Sequence, residues 1–71
     1  MSTPPKPKVK SARLFAELTQ AKLASKVGVS RQTIIAIERG DYAPSVYLAL
    51  KIARELSSKV EQLFHLTDDA P

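Results

Sequence analysis

From Val9 onward, apolar residues recur at spacings of three and four, the period of helices lying on a core. Val9, Ala12 and Ala16, together with Leu14 and Phe15, predict a first helix ending near Glu17. Thr19 is placed to cap a second helix, whose inward positions are Leu23, Ala24 and Val27. Gly28 ends it, because glycine takes the left-handed conformation of a helix terminus without steric cost. Val29 is the expected buried anchor of a very short turn, and Ser30 caps a third helix with Ile34 and Ile37 on its apolar face. Gly40 closes that helix in the same manner. Asp41-Tyr42-Ala43-Pro44 reads as a loop and Ser45 as the next cap. Val46, Ala49, Leu50, Ala53 and Leu56 form the stripe of a fourth helix. Ser58-Lys59-Val60-Glu61 has the spacing of a capping box, opening a short fifth helix that holds Val60, Leu63 and Phe64. No stretch alternates as a strand does. The predicted fold class is all-α, five short helices around one core, with Leu23, Ile34, Ile37, Leu50, Ile52 and Leu56 inside.

The opening Ser2-Thr3-Pro4-Pro5-Lys6-Pro7-Lys8 cannot continue a helix, since proline removes donors and clashes with the preceding turn. Residues 1–8 are therefore expected as a disordered basic arm, residues 9–66 as the domain, and residues 67–71 as a frayed acidic tail. At 71 residues the chain holds one small domain, with stability on the order of 3–5 kcal/mol. It has no cysteine, so neither a disulfide framework nor a thiolate metal site is available. His65 cannot build a metal site alone, and no cofactor is expected. No apolar run approaches the roughly 18 residues of a membrane span. Residues 1–10 lack the apolar region of a secretion signal. The expected location is the cytoplasm.

Charge adds a direction to this picture. Residues 1–33 carry seven basic side chains and one acidic, a net of +6, whereas residues 34–71 carry four basic and six acidic, a net of −2. A basic front half suits one face turned toward a polyanion. Lys6, Lys8 and Lys10 suit either an arm laid along a groove or a solubilising tail.

The candidate chemistry lies between Thr19 and Gly40. A small residue, Ala24, lets two helices cross closely, Gly28 permits a sharp exit, and Val29, Ile34 and Ile37 plug the angle between them. Arg31, Gln32, Ile35, Ala36 and Arg39 are then the outward positions of the third helix. Arg can bind guanine and Gln adenine through two hydrogen bonds each in the major groove, and a helix N-terminus attracts phosphate. The combination Leu18-Thr19-Gln20, Leu23-Ala24, Val27-Gly28-Val29-Ser30-Arg31-Gln32-Thr33-Ile34, Ile37-Glu38-Arg39-Gly40, Pro44-Ser45, Ile52-Ala53, Leu56 and Leu63-Phe64 resembles the helix-turn-helix domains of phage repressors and their bacterial relatives, the Cro/C1-type or XRE family. The resemblance runs without gaps over residues 9–64.

That resemblance implies double-stranded DNA as partner and a five-helix, phage-repressor-like fold whose second and third helices form the reading unit. It implies base contacts at Arg31, Gln32 and Ala36 and backbone contacts at Ser30 and Arg39. Gln20 would touch a phosphate and brace the third helix. Lys22 and Thr33 join the backbone candidates, and Tyr42 either reaches a phosphate from its loop or packs on a neighbour. Arg13 and Glu38 hold the positions of a family ion pair joining the first and third helices. Glu17 departs from the family, standing where a glycine is usual, as do Ala12 for leucine and Ser57-Ser58 for Gly-Val. Ile35, apolar where polar residues are frequent, suits a thymine methyl or a protein contact. The reading is a transcriptional regulator, a homodimer because one unit spans few base pairs, and not an enzyme, since no carboxylate is spaced with a nucleophile or metal cluster. The alternative is an antitoxin or adaptor acting through a protein partner, with Ile35 and Leu63-Phe64 as contact surfaces.

Overall fold

The computed structural model describes residues 6–65. It contains α1 (Val9–Phe15), α2 (Gln20–Val27), α3 (Arg31–Arg39), α4 (Val46–Glu55) and α5 (Val60–Leu63), and no strand among the described residues. Three predicted caps are made. Thr19 Oγ1 accepts the Lys22 amide at 3.0 Å, Ser30 Oγ the Thr33 amide at 3.2 Å and Ser45 Oγ the Leu48 amide at 3.1 Å. Each hydroxyl satisfies one amide that the first helical turn leaves without a partner.

Four helices end on a left-handed residue: Glu17 (φ 61°), Gly28 (φ 79°), Gly40 (φ 80°) and Ser57 (φ 53°). After each, the next amide folds back onto the last full turn. Leu18 donates to the Arg13 carbonyl, Val29 to Ala24, Asp41 to Ala36 and Ser58 to Ala53, at 2.8–3.1 Å. Glycine takes this conformation freely, but Glu17 and Ser57 hold it against a clash between Cβ and carbonyl. The same closure corrects the predicted capping box. The Ser58 amide is already spent on closing α4, and its hydroxyl donates to the Leu56 carbonyl at 3.3 Å. Lys59 therefore opens α5, and Gln62 rather than Glu61 reaches back, Oε1 accepting the Lys59 amide at 3.1 Å.

The core gathers Val9 from α1, Leu23, Ala24 and Val27 from α2, Ile34 and Ile37 from α3, Ile52, Ala53 and Leu56 from α4 and its end, and Leu63 from α5. Val29 is half-buried and packs against this cluster. One predicted stripe is corrected. In α4 the buried arc is Ala49, Ile52 and Ala53, continued by Leu56, while Val46, Tyr47 and Leu50 are exposed. The helix is apolar over a wider arc than its neighbours cover, and Leu50 lies just outside the covered part. Leu14 and Phe15 likewise belong to α1 but face outward, Phe15 at 91% exposure.

The predicted arm is shorter than residues 1–8. Lys8 caps α1, and its amide donates to the Leu63 carbonyl at the end of α5 at 2.8 Å. Pro7 is half-buried, and Lys6 and Pro7 lie against Gly40. A free amide at one helix start thus meets a free carbonyl at another helix end. Residues 1–5, the rest of the arm, and the predicted tail at residues 67–71 lie outside the described residues.

Arg13 and Glu38 cross between α1 and α3 inside this small core. Arg13 Nε donates to Glu38 Oε2 at 2.6 Å and a terminal nitrogen to Oε1 at 3.2 Å. Its other terminal nitrogen donates to the Leu18 carbonyl at 2.9 Å. The side chains are 7% and 4% exposed, and no buried side-chain nitrogen or oxygen among the described residues lacks a partner.

Removing one member leaves the other buried and unpaired. Arg13→Met should cost about 3–5 kcal/mol, comparable to the whole expected stability of the domain, and Arg13→Met/Glu38→Leu should recover much of that loss in urea titrations. Glu17→Gly and Ser57→Gly should each stabilise the domain by about 1 kcal/mol by relieving left-handed strain, raising the thermal midpoint by roughly 4–8 °C.

Candidate nucleic-acid interface

The junction between α2 and α3 is three residues long, Gly28 to Ser30, and its geometry comes from one acceptor. The Ala24 carbonyl receives both the Gly28 amide at 2.9 Å and the Val29 amide at 3.0 Å. This closes α2 sharply, turns Val29 toward the core, and leaves Ser30 in extended backbone as the cap of α3. Ala24 is itself buried, its methyl small enough for close packing of the two helices. Because Ile34 and Ile37 are fully buried, the opposite side of α3 has to face outward.

At the start of that outer side Arg31 and Gln32 are exposed, and neither forms a side-chain hydrogen bond among the described residues. Ile35 and Ala36, one turn further, are half-buried and offer methyl surface beside them. Ser30 Oγ and Thr33 Oγ1 lie 3.1 Å apart. One hydroxyl proton is used between them and the other is free to donate outward. Arg39 ends the helix, its Nε 3.4 Å from Asp41 Oδ2 in an exposed pair.

Gln20, at the first position of α2, is drawn to the far end of α3. Its Nε2 donates to Glu38 Oε1 at 3.1 Å, so the same carboxylate that receives Arg13 also receives α2. A carboxylate accepts only, which fixes the amide with its nitrogen toward Glu38 and leaves one N–H unused there. Lys22, also in the first turn of α2, is exposed. Arg31 and Gln32 sit at one end of the reading unit, and Gln20 and Arg39 at the other, about 12 Å along α3.

Tyr42 is half-exposed in the α3–α4 loop and borders a depression of about 230 Å³ with Pro7, Pro44, Phe64 and His65. Nothing local in the sequence announces this cluster, because it joins both ends of the domain to a loop. Leu63, expected on a protein-contact surface in the alternative reading, is 1% exposed and belongs to the core. Among the described residues no helix is long and apolar enough to cross a membrane, and no three metal-ligating side chains are grouped.

Comparison with known proteins agrees with this geometry. A family model described as helix-turn-helix matches residues 9–63. The chain is 55% identical over 64 residues to an uncharacterized HTH-type transcriptional regulator of Methanocaldococcus jannaschii, covering 90% of this chain and 97% of that one. It is 50% identical over 64 residues to the uncharacterized HTH-type transcriptional regulator YgzD of Bacillus subtilis, with the same coverage. Among solved structures it superposes on the P22 c2 repressor in complex with a synthetic operator with a TM-score of 0.77 at 26% identity, over 80% of this chain and 86% of the repressor chain. A glycine-hinged pair of helices in an all-α domain, matched over most of its length in both sequence and shape, identifies the chain as a member of the helix-turn-helix family of DNA-binding transcriptional regulators.

Proposed function

We propose that the protein regulates transcription as a homodimer, each copy laying the start of α3 in a major groove of its operator. The observation that carries this reading is the pair Arg31 and Gln32. Both are exposed at the capped end of a helix whose other face is locked into the core, with their hydrogen-bonding groups uncommitted among the described residues. A groove about 12 Å wide admits such a helix. Arg31 and Gln32 read base edges, with Ile35 and Ala36 against thymine methyls. The free hydroxyl proton of Ser30 and Thr33, the spare N–H of Gln20, the Lys22 ammonium and Tyr42 hold phosphates. Arg39 exchanges Asp41 for a phosphate at little cost, since exposed ion pairs contribute about 0–1 kcal/mol. The P22 c2 repressor, solved on an operator, supports the same use of this shape. Two copies are required because one unit reads few base pairs, and paired half-sites about 34–36 Å apart restore specificity.

Selection of bound fragments from random duplex DNA, at two salt concentrations, tests the reading. A palindromic site is expected. On that site Arg31→Ala and Gln32→Ala should each cost about 1–3 kcal/mol and relax base choice at one position. Lys22→Ala should weaken all sequences alike and reduce the salt slope by about one. Unaltered site preference in the Arg31 and Gln32 variants overturns the recognition assignment.

A further inference from the structure

The corner where α3 ends carries less positive charge than its basic residues suggest. Arg39, the last residue of the helix, has its Nε 3.4 Å from Asp41 Oδ2. Glu38, one residue earlier, is matched by Arg13. Both pairs are neutral, so together they offer a polyanion no net charge. Lys6 supplies that charge from the other end of the sequence. A side-chain carbon at Gly40 would lie 3.8 Å from Lys6 Cγ, 3.9 Å from Pro7 Cδ and 4.0 Å from Lys6 Cα. The apolar stem of Lys6 therefore rests on the residue that closes α3, while a lysine head stays in water. Lys6 is exposed and has no ion-pair partner among the described residues.

The chain is held in this place on both sides of the contact. The Lys8 amide donates to the Leu63 carbonyl at 2.8 Å. Pro7 is half-buried and shares its depression with Gly40, Tyr42, Pro44 and Phe64. A residue that precedes proline, as Lys6 does, is confined to extended backbone. Lys8, also exposed, borders a different surface, the groove between α1 and the α4–α5 corner that Ser11, Ala12 and Leu56 line. Of these two lysines, only Lys6 shares a corner with Arg39 and Tyr42.

We propose that Lys6 is a phosphate contact of the DNA interface, its ammonium meeting the duplex backbone beside Arg39 and Tyr42 at the far end of α3. The proposal rests on the DNA reading above and adds to it a residue outside the helix-turn-helix. Because the backbone at Lys6 is already placed, binding costs it side-chain freedom alone, unlike a lysine on a free tail.

Fluorescence anisotropy on the selected operator, repeated between about 50 and 200 mM salt, reads the contact. Lys6→Ala should reduce the salt slope by about one, so that its affinity falls about threefold less than that of the wild type across this range. Base preference and thermal midpoint should stay unchanged, and Lys6→Arg should bind as the wild type does. Lys8→Ala removes the same charge from the neighbouring surface and should leave the slope unchanged. An unaltered slope in Lys6→Ala, with a reduced one in Lys22→Ala, overturns the Lys6 contact and leaves the reading of DNA intact. Equal losses in Lys6→Ala and Lys8→Ala overturn it too, since the effect then belongs to the basic arm as a whole. Site preference untouched in Arg31→Ala and Gln32→Ala overturns the underlying reading, and the Lys6 contact with it.

Discussion

A carboxylate buried as deeply as Glu38 has to be met by positive charge from its own chain, and Arg13 meets it through two hydrogen bonds. The remaining Arg13 donor holds the Leu18 carbonyl, immediately before the cap of α2. The remaining acceptor capacity of Glu38 takes Gln20, the first residue of α2. One charged pair therefore fixes α1, the start of α2 and the end of α3 relative to one another. The core contributes contact area, but area is non-directional. A planar guanidinium on a carboxylate is directional, and in a domain this small it sets the angle at which α3 is presented.

The helix ends carry the second constraint. Short helices leave a large share of their backbone groups unpaired, so every terminus matters. Hydroxyls of Thr19, Ser30 and Ser45 close three starts, and folded-back amides close four ends. At Gly28 and Gly40 that closure is free of steric penalty. At Glu17 and Ser57 it is strained. Strain retained in a marginal domain tends to mark a place where the side chain has work to do. Nothing in the structure assigns such work to Glu17 or Ser57.

In the proposed reading the bases are met by residues whose helix is held from behind by Ile34 and Ile37, so Arg31 and Gln32, both exposed, can be exchanged for other side chains without disturbing the core.

Local chemistry alone determined the helices, their three hydroxyl caps, the two glycine ends, most of the core and the α2–α3 bend, because each depends on residues within one or two turns of one another. The family was legible as well, because its words run in register from Leu18 to Phe64, most densely through the α2–α3 bend. What lay beyond the sequence depends on contacts between distant segments. The outer position of Leu50 and the packing of Lys6 to Lys8 were decided by which arc of α4 its neighbours cover and where α5 ends, whereas the transfer of the last cap from Ser58 to Lys59 is local, the Ser58 amide being already taken by the closure of α4. Gln20 shows the boundary well: its position in the first turn of α2 was readable, but its bond to Glu38 required the fold to bring the two helices together. Periodicity says that a helix has an apolar side, and only the assembled neighbours say how much of that side they hide.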